Sequence, residues 1–164
     1  MCCMAVLLAG CHVVDDENGV DPVQVGDPVP SFSVTLHDGS VFESLNPASW
    51  PAVIVFFHTS CVDCQTTLPV IQQAYERIQS MGVRFVCIAR AEGSAQIQNF
   101  WQSHRLTLPW SAQEDRSVYS LFAASRIPRV YVVDRTGVVK AIYDDNPCPS
   151  YEDLSASILS VSIF

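Results

Sequence analysis

Two cysteines separated by two residues, Cys61-Val62-Asp63-Cys64, carry the most readable chemistry in this chain. Thiols at that spacing on the first turn of a helix lie close enough to close a disulfide with each other, or to resolve a mixed disulfide made with another molecule. The flanking sequence supplies that placement. Val53 to Phe57 is a run of apolar residues, most of them β-branched or aromatic, which predicts a buried central strand ending at Thr59 and Ser60. Leu68, Ile71, Tyr75 and Ile78 then recur at spacings of three and four, predicting a helix from about Val62 to Ser80 that Gly82 closes. Cys61 is therefore expected where strand hands over to helix, beside free backbone N–H groups and the positive end of the helix dipole. Such surroundings favour a thiolate and can bring a cysteine below its free pKa of about 8.5.

A lone CxxC also fits a structural disulfide or one half of a zinc site. The metal reading needs two further ligands. Cys87 falls inside an apolar run, Cys148 is isolated near the C-terminus, and the chain has no second CxxC and no HxxxH. A redox-active dithiol is the favoured reading, and it calls for no cofactor and no metal. Cys61, at the strand end, is the better exposed of the two and so the expected attacking thiolate.

The stretch from Val53 through Phe56-Phe57-His58-Thr59-Ser60-Cys61-Val62-Asp63-Cys64 to Leu68-Pro69 resembles the active-site segment of the thioredoxin superfamily, and particularly the TlpA/ResA-like thiol-disulfide oxidoreductases. Ile127-Pro128, followed by Val130 to Asp134 and Thr136 to Val139, resembles that family's cis-proline, next strand and hairpin. Gly26 to Phe32, with Asp38-Gly39 after it, resembles the family's entry segment. The resemblance implies a thioredoxin-like α/β fold, a central mixed sheet flanked by helices with an N-terminal β-hairpin extension. It also implies that Pro128 is cis and faces the dithiol, and that Ile127 lines the substrate groove with His58, Val62 and Asp63. Protein disulfides are the implied substrates and a thiol-reducing protein the implied electron donor. Three positions depart from the family pattern. His58 and Ser60 stand where tryptophans are common, and Thr67 stands where ResA-like proteins often carry a glutamate that accepts a proton beside the dithiol. Threonine cannot act as a base near neutral pH, so water, His58 or another group must take that part.

Two alternatives belong to other classes. A peroxiredoxin would have threonine three residues before its reactive cysteine and proline four further back, where this chain has His58 and Ile54. A thioredoxin-fold metallochaperone or apoprotein-binding protein would need a third ligand, and His104 is the one remote candidate.

The 164 residues suffice for one domain with a substantial core, and half of them are apolar. Net charge is −8 and only one of the nine basic residues is lysine; with no basic cluster, nucleic acid is not an expected partner. Three of the seven cysteines lie within the apolar stretch Met1 to Cys11. Leu8-Ala9-Gly10-Cys11 resembles a bacterial lipobox, which would make 1–11 a signal, Cys11 a lipidated membrane attachment, 12–25 a flexible tether and 26–164 the thioredoxin-like domain. The implied location is the periplasmic side of the cell envelope. The segment lacks the basic residues that usually open a signal, and a cytoplasmic protein with a frayed apolar N-terminus is the alternative.

Further elements follow from pattern. Phe32, Val34 and Leu36 alternate ahead of the Asp38-Gly39 turn and the return strand at Val41-Phe42, giving a hairpin. Asn46-Pro47 starts a short turn. Val83 to Ala89 reads as a second buried strand, with Cys87 as core. A helix is expected over Ser94 to His104 with Ser94 as its cap, an extended piece at Leu106 to Pro109, and one or two helical turns over Ser117 to Ala124. Tyr131 to Val133 and Val138 to Ile142 form a hairpin, and Ser150 with Asp153 caps a last helix.

Overall fold

The structure is a computed structural model and describes residues 19–162. The signal and lipidation candidate at 1–11, Cys11 included, and residues 12–18 lie outside them. The centre is β3, Ala52–Phe57, whose six side chains are all fully buried. Burying a large apolar side chain contributes ~1.5–3 kcal/mol, so this strand alone anchors much of the core. It pairs in parallel with β4, Arg84–Ala89, and antiparallel with β6, Arg129–Val133. β5, Trp110–Ser111, and β7, Val139–Tyr143, complete the order β5-β4-β3-β6-β7. β1, Ser33–Thr35, and β2, Val41–Glu43, form a separate hairpin.

Side chains alternate across a strand, so the last two residues of β3 face opposite ways. Phe57 meets Trp101 of α2, Ser94–His104, at 5.0 Å between ring centroids. Phe56 meets Phe122 at 5.0 Å and the edges of Tyr119 and Tyr131, around the short helix α3, Ser117–Ser120. The active-site helix α1, Val62–Ile78, packs on the last helix α4, Tyr151–Ser162, and runs into a 3-10 turn, Gln79–Met81, that Gly82 ends in the left-handed region at φ 82°. Pro69 sits inside α1 and leaves the Gln65 carbonyl without its helical donor. At the start of α4, the Asp153 amide donates to Ser150 Oγ at 3.1 Å and that hydroxyl donates to the Asp153 carboxylate at 2.8 Å, the expected cap.

Three local expectations are changed or refined. Ser94 is the first helical residue of α2 rather than its cap, because Gly93 is the extended residue at which the chain enters the helix. The extended piece at Leu106 to Pro109 is not strand. Pro109 has no N–H to give a ladder, though its carbonyl accepts the Cys87 amide at 2.9 Å, and Gln72 holds the Thr107 and Leu108 amides with its carbonyl at 2.9 and 3.2 Å, so the residues of β5 in register with β4 begin at Trp110. The third change concerns the expected tether, 12–25. Its described part packs: Val23 is buried and donates its amide to the Phe122 carbonyl, and the Asp21 carboxylate accepts the Ala124 amide.

Asp21 also pairs at 2.8 Å with Arg129, whose guanidinium is buried at the start of β6, reaches Asp144 at 3.7 Å and donates to the Ser125 carbonyl. Arg129→Met would leave two carboxylates facing a site that has lost its cation. Removing one partner of a fully buried pair costs ~3–5 kcal/mol; both carboxylates here are partly exposed, so the expected loss is about 2 kcal/mol, read as a lower urea midpoint at unchanged slope.

Candidate active site

Cys61 is the N-cap of α1. Its backbone is extended, its carbonyl accepts the Gln65 amide at 3.0 Å, and its sulfur accepts the Cys64 amide at 3.1 Å. A cap at a helix start satisfies N–H groups that have no intrahelical partner, and here the capping atom is the reactive sulfur itself. The strand end, the cap and the first helical turn thus place Cys61 half-buried at the surface with Cys64 directly beneath it, fully buried. Both are free thiols. Burial pushes the Cys64 thiol well above the ordinary thiol range and its hydrogen bond with Cys61 adds to this, while the His58 backbone and the Arg90 guanidinium pull more weakly the other way. Burial alone does the same to Cys87, which lies in the core of β4 as expected.

The Ile127–Pro128 peptide is cis, as the resemblance implies. It brings the Ile127 carbonyl within 3.5 Å of the Cys61 sulfur, which donates to it. Ile127 is buried, whereas Val62, next to the reactive sulfur, is 72 % exposed and Asp63 is exposed beside it. Cys61 and Ile127 therefore meet across a helix start and a loop that are 66 residues apart at their contact, with Val62 and Asp63 exposed beside Cys61. His58 shares the site by its backbone, its carbonyl accepting the Cys61 amide at 3.1 Å. Its ring nitrogen Nδ1 lies 2.9 Å from Ser60 Oγ and 3.8 Å from a Glu92 carboxylate oxygen.

Glu92 is the residue that sequence reasoning misses. It is buried just beyond β4, and its carboxylate accepts the Thr59 amide at 2.9 Å and the Thr59 hydroxyl. It thereby fixes the turn that delivers Cys61, as a positioning residue that touches neither sulfur. The available signal is that the parallel pairing of β3 with β4 ends at Phe57 opposite Ala89, which carries the residues after both strands to the same end of the sheet. Thr67 is buried one turn after Cys64, and its hydroxyl has no hydrogen-bond partner. No carboxylate of α1 takes the place of the family glutamate.

The same geometry bears on the alternatives. The Thr59 hydroxyl is committed to Glu92 and is one position out of register for a peroxidatic threonine. His104 stacks on Phe100 at 3.8 Å in the last turn of α2, and among the described residues no group of three or more His, Cys, Asp or Glu converges on a common point. No helix of the described residues is long and apolar enough to cross a membrane.

Comparison with known proteins agrees with this geometry. The model of the AhpC/TSA family matches residues 25–142. The thiol-disulfide oxidoreductase ResA of Bacillus thuringiensis strain Al Hakam is 21 % identical over 119 residues, covering 73 % of this chain and 69 % of the relative. Among solved structures, a thiol:disulfide interchange protein of the thioredoxin family from Chlorobium tepidum TLS superposes with a TM-score of 0.71 at 23 % identity, covering 85 % of this chain and 98 % of that one. A thio-disulfide isomerase from Thermus thermophilus gives 0.67 at 26 % identity, with coverages of 85 % and 97 %. With its thioredoxin-like sheet and its Cys61–Cys64 pair at the N-cap of α1, the chain belongs to the AhpC/TSA family and is a thioredoxin-superfamily thiol-disulfide oxidoreductase of the ResA/TlpA/DsbE-like type.

Proposed function

We propose that the protein reduces disulfides of bacterial envelope proteins and is itself re-reduced by a membrane thiol-reducing donor. The observation that carries this reading is the Cys61 sulfur at the head of α1, 3.5 Å from the Ile127 carbonyl of the cis-proline loop and flanked by the exposed Val62. That surface offers a reactive sulfur, a backbone edge and an apolar contact at once, which suits an extended polypeptide carrying a disulfide. Cys61 attacks one substrate sulfur as thiolate, forming a mixed disulfide while the other substrate sulfur leaves and takes a proton. Cys64 loses its proton and attacks the Cys61 sulfur. The enzyme disulfide forms and the second substrate thiol departs, two electrons having passed from the dithiol to the substrate.

In this reading Pro128 and Ile127 shape the groove, and His58, Val62 and Asp63 contribute its walls. Asp63 places negative charge inside the motif, opposes thiolate charge on the reduced form, and so favours a low potential and the reductant direction. The envelope location rests on the likeness to ResA-type proteins and on the lipobox-like sequence ending at Cys11, with 1–11 as a signal. The linker after it would be shorter than 12–25, since the packed domain begins near Asp21.

The test is the reduction potential of the Cys61–Cys64 pair, equilibrated in glutathione or dithiothreitol buffers and read by mass after alkylation. A value at or below about −230 mV supports a reductase fed by a dedicated donor; a value near about −120 mV overturns it in favour of an oxidant. Absence of a reversible disulfide would remove the exchange chemistry from this pair altogether.

A further inference from the structure

A cavity of about 680 Å³, separate from the dithiol, lies between α2, the outer edge of β5 and the end of the N-terminal hairpin. Its volume falls in the range of small-molecule sites, about 300–1,000 Å³. The apolar walls are Leu36, Leu106 and the indoles of Trp101 and Trp110. Trp101 is anchored by its Nε1–H to the Leu108 carbonyl at 2.9 Å, and Trp110 carries the His37 ring stacked on it at 5.2 Å and 10°. The hairpin is fixed to this edge, with the His37 amide donating to the Trp110 carbonyl at 2.8 Å and the Ser111 hydroxyl to the Thr35 carbonyl at 2.7 Å. The aromatic walls are thus held in place without a ligand.

The rim has a definite charge. On a chain of net charge −8, no Asp or Glu lines this cavity, whereas Arg105 and His37 do. Asp38, next to His37, is engaged by the Ser40 amide and hydroxyl at 2.9 and 2.6 Å. Among the described residues Arg105 has no side-chain partner, and neither do the amides of Gln98 and Gln102 beside it. Arg105 also holds φ 54° at the C-cap of α2, a conformation in which glycine is the usual residue and a side chain costs about 1 kcal/mol. The Trp110 amide donates to His37 Nδ1 at 3.3 Å, which leaves Nε2 as the N–H of the neutral ring and a further donor. An apolar floor of Leu106 and the exposed edges of Trp101 and Trp110, which are 5 % and 8 % exposed, with a guanidinium and amide donors at its rim fits one ligand class.

We propose that this cavity binds a small planar aromatic molecule carrying one carboxylate or sulfonate, its ring on Leu106 and the exposed edges of Trp101 and Trp110 and its anion on Arg105. The site goes beyond disulfide exchange and uses none of its residues. Trp101 also packs on Phe57, the last residue of β3, so occupancy would be felt at the strand that delivers the dithiol.

The experiment titrates the full-length ¹⁵N-labelled protein with 2-naphthoate and, separately, with neutral 2-naphthalenemethanol. The indole N–H signals of Trp101 and Trp110 report binding, and that of Trp50, outside the cavity, is the internal control. Expected are saturable shifts of the first two indoles with naphthoate and at least tenfold weaker binding of the alcohol. Arg105→Gln should weaken naphthoate binding at least tenfold, and Gln98→Trp, which fills the cavity from an exposed helix position, should abolish it. Cys61→Ser should bind as the parent does. Equal affinity for the two probes, equal binding by Arg105→Gln in a spectrum that remains dispersed, shifts confined to Trp50, or no saturation would each overturn the proposal.

Discussion

Cys61→Ser is expected to reduce disulfide reductase turnover to background, a loss of at least about a thousandfold, whereas Cys64→Ser stops each molecule after half a cycle. The asymmetry follows from burial. The Cys61 sulfur is the one at the surface, beside the Ile127 carbonyl, and Cys64 is inaccessible beneath it. A substrate disulfide can therefore meet only the first. Without Cys64 the mixed disulfide on Cys61 has no internal attacker and accumulates as a stoichiometric adduct, visible by mass as enzyme plus one substrate chain and reversed by dithiothreitol. Cys61→Ser should give no adduct at all. An adduct of equal yield on Cys64 in the Cys61→Ser protein would overturn the order of attack. Cys87→Ala serves as a control for the remaining buried thiol: it should lose some stability from the core but keep turnover, since Cys87 pairs in register with Val55 in the sheet interior, away from the groove.

The parts of this arrangement that were legible in the sequence are those encoded locally. Val53 to Phe57 is apolar on both faces because β3 is covered on both faces, and the period of Leu68, Ile71 and Ile78 matches the buried side of α1. Ser150 and Asp153 lie three residues apart, the distance over which a capping box acts. Other features depend on residues that only the fold brings together. Nothing local marks Glu92, which parallel pairing sets against Thr59, 33 positions earlier. Arg129, at the start of β6, is buried where Asp21, from a segment with the composition of a tether, folds back onto it. Gln72 lies between the apolar positions of α1 and satisfies the backbone of residues 107–108, which strand pairing leaves out. In each case a long-range polar contact decides the local structure, and no periodicity announces it.

The second large effect is on the resolving step. Because burial holds the Cys64 thiol above the ordinary range, it remains protonated throughout neutral and mildly alkaline pH. The attacking species is the thiolate, so its fraction rises tenfold per pH unit while the pH stays below the raised pKa. Resolution should therefore accelerate about tenfold per unit from pH 7 to pH 9 with no plateau. Stopped-flow mixing of the reduced protein with Ellman's reagent measures it, as the second of two releases of thionitrobenzoate. Thr67→Glu should change this profile. Thr67 is buried one turn beyond Cys64 with its hydroxyl unpartnered, and a carboxyl there is desolvated, which raises its pKa toward neutral and makes it an acceptor for the Cys64 proton. General-base catalysis contributes about 10²–10⁴-fold where geometry is good, and an unoptimised graft is expected to give about tenfold at pH 7 with a shallower slope. Thr67→Val, which removes the unpartnered hydroxyl without supplying a base, should keep the steep slope while raising stability by about 1 kcal/mol. A flat wild-type profile would instead mean that a base is already present. The His58 ring lies 3.8 Å from the Glu92 carboxylate, and if that pair is the base, Glu92→Gln restores the slope.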